Sequence, residues 1–289
     1  MYKIGVRIHD VVQTSVNLFA QKMDQVECEC MQMTMQKLFS DFDAFKNPYN
    51  KEFELLLKGQ LSKIHSKVSV MSAYINPVVE DFEYEFEKFR KAVDYAAAFG
   101  IDIVGTETGT VVADLEKEYL LNHTDFVFCR LLKNMRQMLD YARDKKLLLG
   151  IEPVSYFPVH DEITMKRLFD ELGSEGLCII LDPVNLLNSA NYERQREIFE
   201  RFVPMFREKI KVIHIKDFQI VQGKFLDCKL YEGLFDIDYF LKLVVTNGID
   251  CDFIIENSTE ETYPLLRKEL KNKIKQEIES KDGSETRIA

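Results

Sequence analysis

No CxxC pair occurs in this chain, and its six cysteines (Cys28, Cys30, Cys129, Cys178, Cys228 and Cys251) are scattered. That argues against a disulfide framework or a thiolate metal site, and for small buried thiols in a reducing compartment. No apolar run approaches the roughly 20 residues that cross a bilayer. The opening MYKIGVRIHD is strand-like from its start, so neither a membrane span nor a signal peptide is expected, and a soluble cytoplasmic protein is. Positive charge is in short supply as well: 38 Lys and Arg against 48 Asp and Glu leave a formal net charge of −10. Nucleic-acid binders draw most of their affinity from phosphate neutralisation by Lys and Arg, so that class is disfavoured. No Pro-, Gly- or Ser-rich linker divides the chain. Nor does a Gly-rich turn follow the first strand-like run, where RIHDVVQTS stands, and a dinucleotide-binding sheet would carry one.

What is present is alternation. Hydrophobic residues make up 46% of the 289, enough for a sizeable core. Eight β-rich runs recur: KIGVRI (3–8), CECMQM (28–33), KVSVMSAY (67–74), IDIVG (101–105), LLLGIE (147–152), LCIILD (177–182), KVIHIK (211–216) and DFIIE (252–256). Several are nearly continuous in Val, Ile and Leu, as expected of parallel strands buried on both faces. Helical patterns lie between them. Phe82, Phe86, Phe89, Val93 and Ala97 form one stripe, and Ile237, Phe240, Leu241, Val244 and Val245 another that ends before Gly248. Strand–helix alternation repeated eight times implies a (β/α)8 TIM barrel in a single domain, with an open doubly wound sheet as the alternative. The barrel is assigned to residues 1–280 and a polar C-terminal tail to 281–289; from Lys271 onward the chain is charged and reads as a fraying helix.

In such a barrel the chemistry gathers at the C-terminal ends of the strands. Four consecutive strands each deliver one potential ligand there: Glu152 in LLLGIEP, Asp182 in LCIILDPVN, His214 in KVIHIKDF and Glu256 in CDFIIENS. Each interrupts an apolar run at or near its end, where an unpaired charge is costly and a bound cation neutralises it. Three carboxylates and one imidazole make a hard site suited to one divalent ion, Mn2+ or Mg2+, with Co2+ and Zn2+ as alternatives. The bland alternative is four unrelated strand-cap polar residues with local hydrogen bonds.

These residues sit in GIEPV (150–154), LDPVN (181–185), HIKD (214–217) and IIEN (254–257), supported by AYINP (73–77), GTETG (105–109) and EGLFDIDYFL (232–241). In order and spacing they resemble the xylose isomerase-like TIM-barrel superfamily of sugar isomerases and epimerases over nearly the whole chain. The resemblance implies that Glu152, Asp182, His214 and Glu256 bind one divalent metal, and that Glu152 and Glu256 flank the substrate as acid and base. A metal-polarised carbonyl acidifies the neighbouring C–H, and proton transfer through an enediolate then isomerises or epimerises a sugar or cyclitol. The same chemistry with loss of a β-hydroxyl would make the protein a dehydratase or lyase. A non-catalytic sugar-binding barrel is the third reading.

Departures from the family bear on substrate. Free-ketose 3-epimerases of this superfamily carry Glu, His and Arg where this chain has Pro158, Asn185 and Ile220. True xylose isomerases line their pocket with tryptophan, and this chain has none. The histidine-rich three-metal nuclease on this fold carries a His three residues after the strand-six Asp and a D-x-H after the strand-seven His, whereas this chain has Asn185 at the first position and no D-x-H. The HIKD form resembles the inosose-dehydratase and general isomerase/epimerase branches, which implies that Lys216 meets an anionic or carbonyl oxygen and Asp217 orients a neighbour; a surface salt bridge is the alternative. Tyr74, Asn76, Glu107 and Asn185 are further candidates for substrate contact at the mouth, with loop hydrogen bonding or helix capping as alternatives. His9 ends the first strand and is a candidate on the same terms, while His160 is expected at the surface. The partner expected is a small-molecule sugar or sugar derivative, with no nucleic acid and no membrane; a homo-oligomer is compatible with the chain.

Overall fold

In the computed structural model, which describes residues 2–285, the elements follow in the order β1 (Lys3–Arg7), α1 (Phe19–Met23), β2 (Cys30–Met33), α2 (Met35–Leu38), α3 (Lys51–Leu61), β3 (Lys67–Ser72), α4 (Glu83–Phe99), β4 (Ile103–Glu107), α5 (Leu115–Glu118), α6 (Asp125–Asp144), β5 (Leu148–Glu152), α7 (Glu162–Leu172), β6 (Leu177–Leu181), α8 (Gln195–Met205), β7 (Ile210–Ile215), β8 (Asp217–Val221), β9 (Lys224–Cys228), α9 (Ile237–Thr246), β10 (Asp252–Ile255) and α10 (Tyr263–Glu285). Eight parallel strands close into a barrel in the cyclic order β1-β10-β7-β6-β5-β4-β3-β2. All eight runs read from the sequence are barrel strands. The alternation does not announce β8 and β9, which pair antiparallel as a hairpin outside the barrel. Gln222 and Gly223 join them with φ of 52° and 79°, the two positive values that a tight hairpin turn asks for.

Strand alternation sorts the side chains into two layers. Outward-facing residues such as Ile4, Val6, Leu149, Ile151, Ile213, Phe253 and Ile255 belong to the main core between barrel and helices. A second buried cluster, Cys30, Val70, Ile103, Cys178, Ile180, Val212 and Ile254, fills the barrel itself. Ile180 fills the space that Gly105 and Gly150 leave open. A Cβ on Gly105 or Gly150 would lie 2.4 or 2.9 Å from Ile180 Cδ1.

Two details differ from the sequence reading. Of the first stripe Ala97 is exposed, and on α4 Ala96 is buried in its place, because spacings of four overshoot a helix of 3.6 residues per turn. Charged though it is, α10 continues as helix through Glu285. The second stripe holds: Ile237, Phe240, Leu241, Val244 and Val245 are all buried on α9, which Asp236 caps by accepting from Tyr239 N. Among the described residues, no helix is long and apolar enough to cross a membrane.

Candidate metal and catalytic site

The inward parity that plugs the barrel also builds its mouth. Two residues beyond Val212 comes His214, two beyond Ile180 comes Asp182, and two beyond Ile254 comes Glu256. Glu152 closes β5, and Glu107 on β4 is its direct register partner. The ligand atoms of Glu152, Asp182 and His214 lie within 4.8 Å of one another, and all three residues are buried. Glu256, the fourth expected ligand, stands beside this trio: its Oε1 is 3.3 Å from His214 Nδ1, against 3.5 Å for Glu152 Oε1.

These donors fit a divalent cation. His214 is fully buried, yet neither ring nitrogen makes a hydrogen bond among the described residues, and Asp182 Oδ2 makes none either, though it forms an ion pair with Lys216 Nζ at 3.2 Å. A buried imidazole nitrogen facing carboxylate oxygens, with no other partner, is the arrangement of a metal ligand. The charges respond to the crowding. Burial opposes the imidazolium of His214, but Glu152 and Glu256 outweigh it and push the pKa up to about 9. Asp182 is pushed up to about 7 by burial, with Lys216 pulling the other way, and Glu107 up to about 8 by burial and by the Glu152 charge. Burial works against the Glu152 carboxylate too, but His214, the Tyr74 hydroxyl and Lys216 prevail and lower its pKa.

A polar shell orients these side chains. Tyr74 donates to Glu152 Oε2 at 2.6 Å and itself accepts from Gln32 Nε2 at 3.2 Å. Burial and the Glu152 charge raise the Tyr74 pKa well above its ordinary range, so the hydroxyl stays a donor. Asn185 donates to Glu152 Oε1 at 2.7 Å and accepts from Lys216 Nζ at 2.8 Å. Lys216 points inward, as strand alternation requires. Its ammonium is already held, however, by Asp182 Oδ2 at 3.2 Å, Asp227 Oδ2 at 2.7 Å and Asn185; burial opposes its charge, but Asp182, Glu256 and Asp227 outweigh it and raise the pKa.

The structure does not bring every candidate into the site. Asp217 is buried on the other side of the chain from Lys216. Its Oδ1 accepts from the backbone N–H groups of Phe218 and Phe235 and its Oδ2 from that of Gly233, so it fastens the EGLF segment to the hairpin. His9 lies in a short 3-10 turn after β1, 3.7 Å from Asp10. Burial and Arg7 pull its pKa down to about 4, and among the described residues no hydrogen bond or ion pair joins it to the four ligands. Asn76 ties its loop together, donating to Thr110 O and accepting from Thr110 N. His160 is half-buried rather than at the surface, stacked on His123 at 3.6 Å.

Two residues that matter here escape the sequence reading. Arg7, the last inward position of β1, contacts Glu256 Oε2 at 3.0 Å while donating to both oxygens of Asp10 and to Asn257 Oδ1. Its parity with Gly5 was the available signal. Asp227 arrives on the hairpin, for which the alternation carries no signal.

The sequence profile of the xylose isomerase-like TIM barrel matches residues 21–280. The chain belongs to that family. Comparison with curated proteins gives no significant match. Among solved structures, this xylose isomerase-like barrel superposes on a xylose isomerase-like TIM barrel protein from Mycobacterium smegmatis in complex with magnesium. That pair has a TM-score of 0.72 and 13% identity, over 96% of this chain and 98% of the other. An L-ribulose 3-epimerase gives a TM-score of 0.70 at 13% identity, over 100% and 98% of the two chains. An IolI protein with a bound zinc atom gives 0.66 at 13%, over 95% and 96%. At such identities the superpositions establish the fold.

Proposed function

We propose that this protein is a divalent-metal-dependent isomerase or epimerase of a sugar or cyclitol, working by proton transfer through an enediolate. The observation that carries the proposal is the convergence of Glu152 and Glu256 on His214 from strands on either side of it, with Asp182 completing the cluster. A divalent ion held by Glu152, Asp182 and His214, with Glu256 as fourth ligand, would supply Lewis-acid polarisation of a substrate carbonyl. The oxygen-rich donor set favours Mn2+ or Mg2+.

The remaining chemistry belongs to the chain. Glu152, fixed by Tyr74 and Asn185, takes the proton from the carbon beside the carbonyl. Glu256, oriented by Arg7, returns a proton to the opposite face. Tyr74 and Glu107 border the position of the sugar. Buried walls around the four ligands keep bulk water from competing for the carbanion.

The test is a screen of ketoses, inososes and sugar acids in D2O with Mn2+-loaded protein. Deuterium appearing at carbon, without change in mass other than the label, supports the isomerase or epimerase. Loss of water from the product moves the assignment to a dehydratase. Glu152→Gln should retain part of the Mn2+ binding and lose the exchange; full exchange in that variant removes Glu152 from the proton transfer.

A further inference from the structure

The β8–β9 hairpin contributes nothing to barrel closure, yet it reaches the mouth: Asp227 at its base lies 2.7 Å from Lys216 Nζ, which in turn contacts Asp182. Phe225 is two residues further along the same strand, about 7 Å from Asp227 in extended chain. One of its faces stacks on Phe218, with ring centroids 4.5 Å apart. Beside Phe225 opens a cavity of about 270 Å³, lined also by Tyr119, Tyr156, Asn188, Ser189 and Lys224. Tyr156 follows Glu152 by four residues and Asn188 follows Asp182 by six, so two of its walls continue the strands that carry the ligands. Tyr119 and Tyr156 meet edge-to-face at 5.4 Å. Asn188 uses its Oδ1 on Ala190 N, and no hydrogen bond involves its Nδ2 among the described residues.

Aromatic faces with an amide and a hydroxyl at their edge suit a sugar ring, whose C–H faces pack on the rings while its hydroxyls meet the polar groups. The cavity thus lies on the loops that follow Glu152 and Asp182, beside the strand that brings Asp227 to Lys216. We propose that it is a second sugar-unit subsite, and that the substrate is a disaccharide whose carbonyl-bearing unit reacts at the four ligands while its second unit lies between Tyr156 and Phe225. This rests on the proposed sugar chemistry of the main site and names its substrate class more closely. The hairpin is then the specificity element, added to the barrel to wall off the outer unit.

The experiment compares binding of glucose, fructose, maltose, cellobiose and maltulose to Mn2+-loaded full-length protein by calorimetry and saturation-transfer NMR. At least one disaccharide should bind about tenfold more tightly than either of its component sugars, the equivalent of one well-packed aromatic face. Phe225→Ala should abolish that advantage. So should Ser189→Trp, which fills the cavity from an exposed position without removing any packing, and both variants should keep wild-type Mn2+ affinity. Equal binding of mono- and disaccharides, no disaccharide binding, or an advantage that survives both substitutions overturns the subsite. Deuterium exchange in the same samples separates the two readings. Exchange into monosaccharides without a disaccharide advantage removes only the subsite; a disaccharide advantage without exchange into any sugar removes the reaction and leaves the subsite standing.

Discussion

Arg7 and Glu256 stand 249 residues apart in the chain and 3.0 Å apart at the barrel mouth, because the closing seam pairs β1 with β10. The guanidinium is itself anchored on Asp10 and Asn257, so it holds the Glu256 carboxylate in one orientation with the other oxygen turned to His214. Arg7→Met should slow solvent-deuterium exchange by about ten- to hundredfold, the worth of a lost charge-assisted contact of ~1.5–3 kcal/mol. Arg7→Lys should recover little of this, since one ammonium cannot span three partners as a guanidinium fork does. Exchange rates in the two variants decide it, and a wild-type rate in Arg7→Met removes the positioning role.

Metal-free protein should lose stability as pH rises from 6.5 to 9. The pKa of His214 is raised from 6.5 to about 9, so its favourable charged form contributes fully below 6.5 and is lost as pH climbs through about 9. Asp182 at about 7 and Glu107 at about 8 are raised by burial, so their ionisation in the folded state also costs stability as pH rises toward those values. All three act in the same direction. Saturating Mn2+ should flatten the profile, because a divalent ion replaces the protons as counter-charge and releases them on binding. Melting temperatures across that window, with and without Mn2+, provide the measurement; a flat metal-free profile contradicts the charge assignments.

Asp182→Ala and His214→Ala should each reduce metal content, since each removes one corner of a cluster whose ligand atoms lie within 4.8 Å of one another. Elemental analysis of both variants checks this, and unchanged metal in both would discard the ligand set.

Lys216→Met should tighten Mn2+ binding by roughly tenfold or more, because the ammonium 3.2 Å from Asp182 Oδ2 competes with any cation for that oxygen. Turnover should fall all the same, as Asn185 loses the partner that steadies it against Glu152. The loss should be equal on neutral and anionic substrates, because two carboxylates already neutralise this lysine. Weaker Mn2+ binding in calorimetry, or a loss confined to anionic substrates, would reverse this account.

Gly105→Ala should destabilise the fold by about 1–3 kcal/mol through overpacking, since its Cβ would fall 2.4 Å from Ile180 Cδ1. Ile180→Val removes that methyl group and should recover much of the loss in the double variant. Urea denaturation of the two single variants and the pair measures the coupling, and simple additivity would show that the clash relaxes elsewhere.

The sequence by itself determined the barrel and the inward residues at its mouth. Both follow from local rules: apolar runs of strand length, and a side-chain period of two that places Glu152, Asp182, His214, Glu256 and Lys216 on the inner face of their strands. That same period separates Asp217 from Lys216, although the two sit together in HIKD. What only the tertiary structure decided is which charges meet. Arg7 reaches Glu256 because the barrel closes β1 against β10, and Lys216 spends its ammonium on Asp182, Asn185 and an aspartate delivered by a hairpin outside the strand–helix alternation. Alternation is a property of each strand alone, whereas counter-ion choice depends on distances across the closed barrel and on burial, which leaves each charge only the partners within a few ångströms.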